Sequence, residues 1–187
     1  STYDKNGKDM RGFSKLTLTV LDLLSRVYLT VIRGTPVVVQ LMIMYYVVLV
    51  STTNQILVAT IAFGMNSGAY VAEIFRSGIM SIDQGQFEAG RSLGFNFVQT
   101  MRYIIIPQAF KNVLPALANE FIVLLKETSV AGYVALQDLT KGGDIIRSRT
   151  YDAFMPLIGV AIIYLAMVMF FTYLVGILER RLRNSER

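Results

Sequence analysis

The sequence predicts an all-helical integral membrane protein, a bundle of about four membrane-spanning helices in this chain with a short polar helix between them. Two observations carry this prediction. Of the 187 residues, 53% are hydrophobic and only 17% are charged, whereas a soluble domain has about 25% charged residues. The segment 153–178 contains no charged residue. As a helix it is longer than the roughly 30 Å hydrocarbon core of a bilayer.

The composition also narrows the possible chemistry. The chain has no histidine, no cysteine and no tryptophan. Imidazole and thiolate are the usual ligands of zinc and haem, and they are common nucleophiles and bases. We therefore expect no metal site, no disulfide and no catalytic residues in this chain.

Three further segments, less uniformly apolar than the first, are predicted to span the membrane, and they are 36–50, 56–74 and 112–126. The segment 16–32 is amphipathic and is interrupted by Asp22 and Arg26. It is expected either to lie along the membrane interface or to extend the following helix inward. Together the segments form a single transmembrane domain over 1–187.

Basic residues indicate the orientation of these helices. They are frequent in 1–35, in 76–111 and in the tail 179–187. Cytoplasmic loops carry an excess of Lys and Arg, so we expect these three regions to be cytoplasmic, with 1–35 a cytoplasmic or interfacial segment and both termini inside. The loop 127–152 then faces outward, although it carries Lys141, Arg147 and Arg149, which runs against the same rule.

A polar, glycine-marked stretch lies between the second and third of these spans in the cytoplasmic region 83–100. If 84–99 is one helix, Ala89, Gly90 and Gly94 share an apolar arc. Glycine inside a helix costs about 1 kcal/mol relative to alanine, so two glycines four residues apart suggest that another backbone comes close. Glu88 and Arg91 can form a pair on an adjacent face. The helix could dock a soluble partner, or it could lie on the membrane surface.

The stretch 88–107 resembles the EAA motif of ATP-binding-cassette importer permeases. Five positions match this motif: Glu88, Ala89, Gly94, Ile104 and Pro107. Two positions depart, since Gly90 replaces the second alanine and Ile106 replaces a leucine. The resemblance implies that 83–100 is the coupling helix, which sits in a groove of the nucleotide-binding subunit.

Four further segments are similar to the polar amino acid uptake branch of that family, namely 33–46, 66–90, 104–130 and 178–183. The resemblance implies a type I importer fold in the bacterial cytoplasmic membrane, usually with five spans, so that a first helix is expected to be missing here. It also implies a second permease copy or homologue, and an extracytoplasmic substrate-binding protein or domain. The chain lacks the G-x-x-x-x-G-K-[ST] pattern, so ATP and Mg²⁺ are expected to be used by separate ATPase subunits and no cofactor is expected on this chain.

Polar residues within the predicted spans are candidates for substrate binding, because ionisable groups are costly in a membrane and usually face a protein interior or a watery cavity. The candidates are Asn66, Ser67, Tyr70, Glu120 and Glu127. Carboxylates could hold an ammonium or guanidinium group, and Asn and Ser could donate to the carboxylate of an amino acid. The alternatives are structural, since Glu127 could mark the outer membrane boundary. Glu73, at the cytoplasmic end, is expected to pair with Arg76.

These features predict a permease subunit of an importer that moves polar amino acids into the cell by alternating access. Acidic residues on the proposed pathway favour a cationic substrate such as arginine, and glutamine is also compatible. The alternative is a self-contained transporter or channel driven by an ion gradient. That alternative predicts internally repeated helices, which the sequence does not display.

Overall fold

The computed structural model describes residues 12–184, with side chains described from 17 to 182. The helices of this part of the chain are α1 (Gly12–Gly34), α2 (Val37–Ile43), α3 (Gln55–Met80), α4 (Gln84–Ser92), α5 (Phe97–Thr100), α6 (Ile106–Glu127), α7 (Leu139–Thr150) and α8 (Phe154–Asn184). A π-helical turn follows α2 at Met44–Val48, another joins α5 to α6 at Met101–Ile105, and a 3-10 helix follows α6 at Thr128–Val134. The described residues contain no strand, and the all-helical fold class is confirmed.

Two helices of the described chain, α3 and α8, are long and apolar enough to cross a membrane. The bent pair of α1 and α2 raises the number to three if it is counted as one span. The predicted span at 112–126 lies within α6, which has 22 residues and is about 33 Å long. Its length suffices, but its composition is less apolar than that of α3 or α8. Polar side chains are tolerated in α6 because it packs between these two helices.

The predicted span at 36–50 is shorter than expected as a helix. The structure has seven residues in α2 and five in the π-helical turn that follows, or about 18 Å of helix, which is too short to cross the hydrocarbon core unaided. The chain bends by 110° between α1 and α2. This bend at Thr35 and Pro36 rules out a straight extension of α2 by α1, and it favours the interfacial alternative for 16–32.

The bundle is centred on α3 and α6, which approach most closely at Gly78. A β-carbon on Gly78 would lie 2.3 Å from Cγ2 of Val113, so only glycine allows this contact. One turn further, the Asn112 side-chain amide donates to Oγ of Ser81 at 2.9 Å. Gly64 and Gly68, four residues apart on α3, make no comparable contact with α6: a β-carbon on Gly64 would have no neighbour within 4 Å, and one on Gly68 would lie 3.3 Å from the Tyr28 hydroxyl of α1. The close helix contact of α3 is therefore nearer its C-terminus.

A hydrophobic core closes the opposite end of α3. It joins α2, α3 and the 3-10 helix through six buried side chains: Leu41, Ala59, Ala62, Phe63, Ala131 and Val134. After this core, α7 packs back on α8, where a β-carbon on Gly143 would lie 2.5 Å from Cγ2 of Val160. The predicted outward loop 127–152 is thus largely helical.

Candidate functional site: the coupling segment and the polar face between α3 and α6

The predicted single helix over 84–99 is two helices, and Gly94 separates them. Gly94 has a φ of +81°, a left-handed conformation that glycine adopts without steric cost. The Gly94 amide donates to Arg91 O and the Phe95 amide donates to Gly90 O, which is the Schellman pattern that ends a helix. A capping box between Asn96 and Gln99 then begins α5. Gly94 thus terminates helix α4. Its left-handed backbone conformation explains why a glycine stands four residues after Gly90.

Gly90 is buried against the segment that follows it. A β-carbon on Gly90 would lie 2.6 Å from Cγ2 and 2.7 Å from Oγ1 of Thr100, and 3.2 Å from Cδ1 of Ile104. Thr100 is itself buried, and its hydroxyl donates to Asn96 O. We expected another backbone to come close to Gly90, but the atoms that approach it belong to the side chains of Thr100 and Ile104 in the same chain. Gly90 therefore belongs to the face that attaches α4 to the bundle, and the docking surface must be elsewhere on α4.

The first two residues of the motif are exposed on α4. Glu88 and Ala89 are exposed, and Leu93 is 70% exposed. The expected ion pair between Glu88 and Arg91 does not form in the described structure. Leu93 lies outside the predicted spans, where an exposed large apolar side chain is a feature of surfaces that another protein covers.

The C-terminal end of the motif anchors this segment to α6. Pro107 lies in the first turn of α6 and has no amide hydrogen to donate to Tyr103. That missing bond falls within the π-helical turn Met101–Ile105, an irregularity that a proline induces or tolerates. The side-chain Nε2 of Gln108 donates a hydrogen bond to Oε1 of Gln86 at 3.1 Å. The stretch 83–100 is consequently held in two places, by the Gly90 contact with Thr100 and Ile104 and by this side-chain hydrogen bond to α6.

Ser67 and Glu120, two of the predicted substrate residues, are brought together between α3 and α6. The Ser67 hydroxyl donates to Oε1 of Glu120 at 3.2 Å. Glu127 lies about two turns further along α6, and its Oε2 is buried without a hydrogen-bond partner among the described residues. A marker of the membrane boundary would be solvated, so this burial favours an interior position. The role of all three residues in binding remains a prediction.

Asn66, next to Ser67 on α3, faces a different neighbour. It is only 2% exposed, and its Nδ2 donates to Oε1 of Gln40 on α2 at 3.0 Å. Its Oδ1 is buried without a partner in the described part of the chain. Asn66 therefore joins α2 to α3 through its nitrogen and has one buried acceptor left over.

Tyr70 belongs to a separate, charged cluster in the C-terminal half of α3. The Arg33 guanidinium lies over the Tyr70 ring, 5.7 Å from its centroid, and its Nη1 is 3.3 Å from Oε2 of Glu73. The predicted pair of Glu73 and Arg76 is confirmed. Tyr70 is thus one turn from Asn66, but its nearest charged partner is a cation of α1, so the structure does not unite the five predicted substrate residues in one cluster.

The basic residues of the loop 127–152 are partly neutralised. Lys141 and Arg147 both donate to the carboxylate of Asp144 in α7. The hydrogen bond from Arg147 and, to a smaller extent, the one from Lys141 lower the pKa of Asp144 below its ordinary value. Two of the three basic residues of the loop thus share one carboxylate, but the charge rule counts Lys and Arg regardless of nearby carboxylates, so the loop remains an exception to it.

Gln40, Arg33 and Thr100 were missed as members of these sites. Gln40 was recognisable as the lone polar residue of the apolar run 36–50, which is a signal for a buried hydrogen bond. Arg33 lies outside the predicted spans, and its contact with Glu73 depends on the bend after α1. Thr100 gives no signal in the sequence, because its role requires knowing that the chain turns back at Gly94.

Comparisons with known proteins agree with this architecture. Residues 16–184 match the model of the family described as binding-protein-dependent transport system inner membrane component. The chain is 39% identical to the arginine transport system permease protein ArtQ of Bacillus subtilis, over 85% of this chain and 74% of that protein. It is 35% identical to the glutamine transport system permease protein GlnP of Escherichia coli, over 84% and 74%.

A solved structure of an amino acid ABC transporter with histidines is 46% identical in sequence, with a TM-score of 0.82 over 87% of this chain and 77% of that one. The MetNI methionine ABC transporter, at 19% identity and a TM-score of 0.71, shares the fold. The chain belongs to the family of binding-protein-dependent transport system inner membrane components, the membrane permeases of ATP-binding-cassette transporters.

Proposed function

We propose that this chain is the membrane subunit of an ATP-driven importer of polar amino acids, and that α4 receives the mechanical work of a separate ATPase. The observation that carries this proposal is that some residues of α4 contact the bundle whereas others are exposed. Gly90 and Gln86 hold the helix against the bundle. Glu88, Ala89 and, at the C-cap of the helix, the largely exposed Leu93 are left open to a partner. A force applied to the exposed residues of α4 would reach α6 through the hydrogen bond between Gln86 and Gln108.

The substrate class is supported by the side chains along α3 and α6. Glu120 and Glu127 form no ion pair within the described residues, and a partly buried carboxylate within a membrane protein is expected to meet a donor or a cation. The relatives named above transport arginine and glutamine. Both substrates carry nitrogen donors in their side chains, and either chemistry suits these carboxylates.

The proposed assembly has two permease copies or homologues, two ATPase subunits and an extracytoplasmic binding protein or domain. ATP and Mg²⁺ act on the ATPase, and the permease itself binds no cofactor. Closure of the ATPase subunits on ATP would pull on α4, and the spans would alternate between outward-open and inward-open states in the cytoplasmic membrane. In this arrangement α4 and the C-terminus of the chain are cytoplasmic.

The test is amino acid uptake by proteoliposomes that contain the permease with its ATPase. Enclosed ATP and external binding protein should support uptake of radiolabelled L-arginine or L-glutamine, and an ATPase variant unable to hydrolyse ATP should abolish it. Uptake driven by a proton or sodium gradient in vesicles without the ATPase would reject the proposal in favour of an ion-coupled transporter.

A further inference from the structure

Gln40 occupies the junction of three helices, where its side-chain amide has a fixed direction. Its Nε2 lies 2.7 Å from Ile32 O, 3.0 Å from Thr35 O and 2.8 Å from Oγ1 of Thr35. The two carbonyls can only accept hydrogen bonds. The Thr35 hydroxyl already donates its single hydrogen to Val31 O at 2.8 Å, so towards Gln40 it also accepts. All three neighbours therefore require a donor, and the nitrogen of Gln40 must face them.

This direction determines the polarity of the next amide. With Nε2 turned towards the end of α1, Oε1 of Gln40 is the atom that faces α3. Asn66 must then present its nitrogen to Gln40, and its own oxygen is the atom that is left. Turning the Asn66 amide over would place two acceptors against each other, and turning over both amides would leave the two backbone carbonyls without a donor. The polarity at Asn66 is thus set from the end of α1.

The remaining acceptor is buried and lacks a partner within the described chain. A buried oxygen without a donor is costly, by about 1–3 kcal/mol, and such a group in a native protein requires an explanation, of which a functional role is one. The neighbouring Ser67 has already given its hydrogen to Glu120. This stretch of α3 and α6 consequently offers a ligand several hydrogen-bond acceptors and few hydrogen-bond donors.

We propose that Gln40 is a positioning residue that holds the Asn66 oxygen ready for a nitrogen donor of the substrate, so that this part of the pathway selects ammonium, guanidinium or amide groups over carboxylates. The inference rests on the proposed amino acid substrate. It also changes the role expected of Asn66, which was predicted to donate to a substrate carboxylate. In the present geometry Asn66 acts as an acceptor, and Gln40 acts through it without contacting the substrate.

The test uses direct binding of L-glutamine and L-glutamate, which differ by one amide against one carboxylate. Dissociation constants are measured on the purified permease–ATPase complex in nanodiscs, without the binding protein, so that the preference belongs to the permease. We expect the wild-type complex to prefer L-glutamine by about tenfold or more. In Gln40→Leu the Asn66 amide is free to turn over, and this preference should shrink severalfold.

Two further variants separate positioning from folding. Gln40→Glu still presents an oxygen to Asn66, so it should retain most of the preference even if the complex is less stable. Thr35→Val removes one of the three acceptors around Nε2 and leaves both carbonyls, so it should bind like the wild type. A Gln40→Leu complex with an unchanged ratio, or a Gln40→Glu complex that loses the ratio just as Gln40→Leu does, would overturn the inference.

The same preparations are assayed for ATP-driven uptake with the binding protein present. Absence of ATP-driven uptake in the wild type would reject the proposed function itself. Normal uptake with no wild-type preference for L-glutamine in the binding assay would reject only the role assigned to Gln40 and Asn66.

Discussion

Gly90 of α4 packs directly on Thr100 of α5, and a β-carbon on Gly90 would lie within 2.7 Å of both Cγ2 and Oγ1 of that threonine. The EAA motif has alanine at this position. In this chain the position is glycine, and the Thr100 side chain occupies the space that an alanine methyl group would need. The contact fixes the distance between the coupling segment and the bundle. It gives the departure from the motif a steric reason.

We therefore expect Gly90→Ala to destabilise the attachment of α4 by about 1–3 kcal/mol, the usual cost of overpacking a tight contact. Thr100→Ala should restore most of the stability in the double variant, because it removes the two nearest atoms that the new methyl group would meet and leaves only Cδ1 of Ile104 at 3.2 Å. The measurement is the melting temperature of the purified complex together with its ATPase rate. Equal stability of Gly90→Ala and the wild type would contradict the described contact.

Gly94 predicts a different kind of sensitivity. A β-carbon there would meet nothing within 4 Å, but the φ of +81° disfavours any L side chain. Gly94→Ala should cost about 1–2 kcal/mol, whereas Gly94→Asn should cost less, because asparagine tolerates the left-handed region. Thermal unfolding of the two variants tests this order. If both variants are as stable as the wild type but lose the ATPase subunit, Gly94 is a docking contact and not a helix terminator.

The contrast between these two glycines illustrates what the sequence could and could not predict. The long apolar runs that became α3 and α8 were predictable, because hydrophobicity over 20 or more residues reports directly on membrane insertion. The boundary between α4 and α5 was readable in principle from Gly94 and the capping pair Asn96 and Gln99. The Gly90 contact was not readable, since it depends on the reversal of the chain after that boundary.

The polar site shows the same limit. Ser67 and Glu120 were predicted from the cost of polar groups in a membrane, and the structure places them in contact. The bond between Gln40 and Asn66 spans 26 residues and requires both the bend after α1 and the register of α2 on α3. Hydropathy patterns carry no information about such a register. For the same reason the cation that faces Tyr70 was not foreseen.

Glu120 should govern the affinity for cationic substrates. Glu120→Gln removes a charge and keeps the shape, so we expect L-arginine binding to the purified complex to weaken about tenfold or more, and L-glutamine binding to weaken less. Asn119→Ala provides the matched control, because the Asn119 side chain is exposed and has no hydrogen-bond partner among the described residues. Weakening by the same factor for both amino acids would indicate a structural role for Glu120.

Glu73 joins α1 to α3 through Arg33 and also pairs with Arg76 on its own helix. Glu73→Gln should lower the melting temperature of the complex more than Arg76→Gln, because the first change leaves two guanidinium groups without a carboxylate and the second preserves the link between helices. Exposed pairs within one helix contribute little. The opposite order would show that the link between α1 and α3 does not depend on this ion pair.

The central claim is that the exposed face of α4 contacts the ATPase, and a single-site cross-link tests it most directly. The chain contains no cysteine, so Leu93→Cys creates a unique attachment point for a photoreactive maleimide on the permease. In the assembled transporter the account predicts a cross-link from position 93 to the ATPase subunit. A matched Tyr151→Cys variant, at a 95% exposed position beyond α7, should give no cross-link to the ATPase. Failure of position 93 to cross-link in a complex that retains the ATPase, or cross-linking of the ATPase from position 151, would contradict the account.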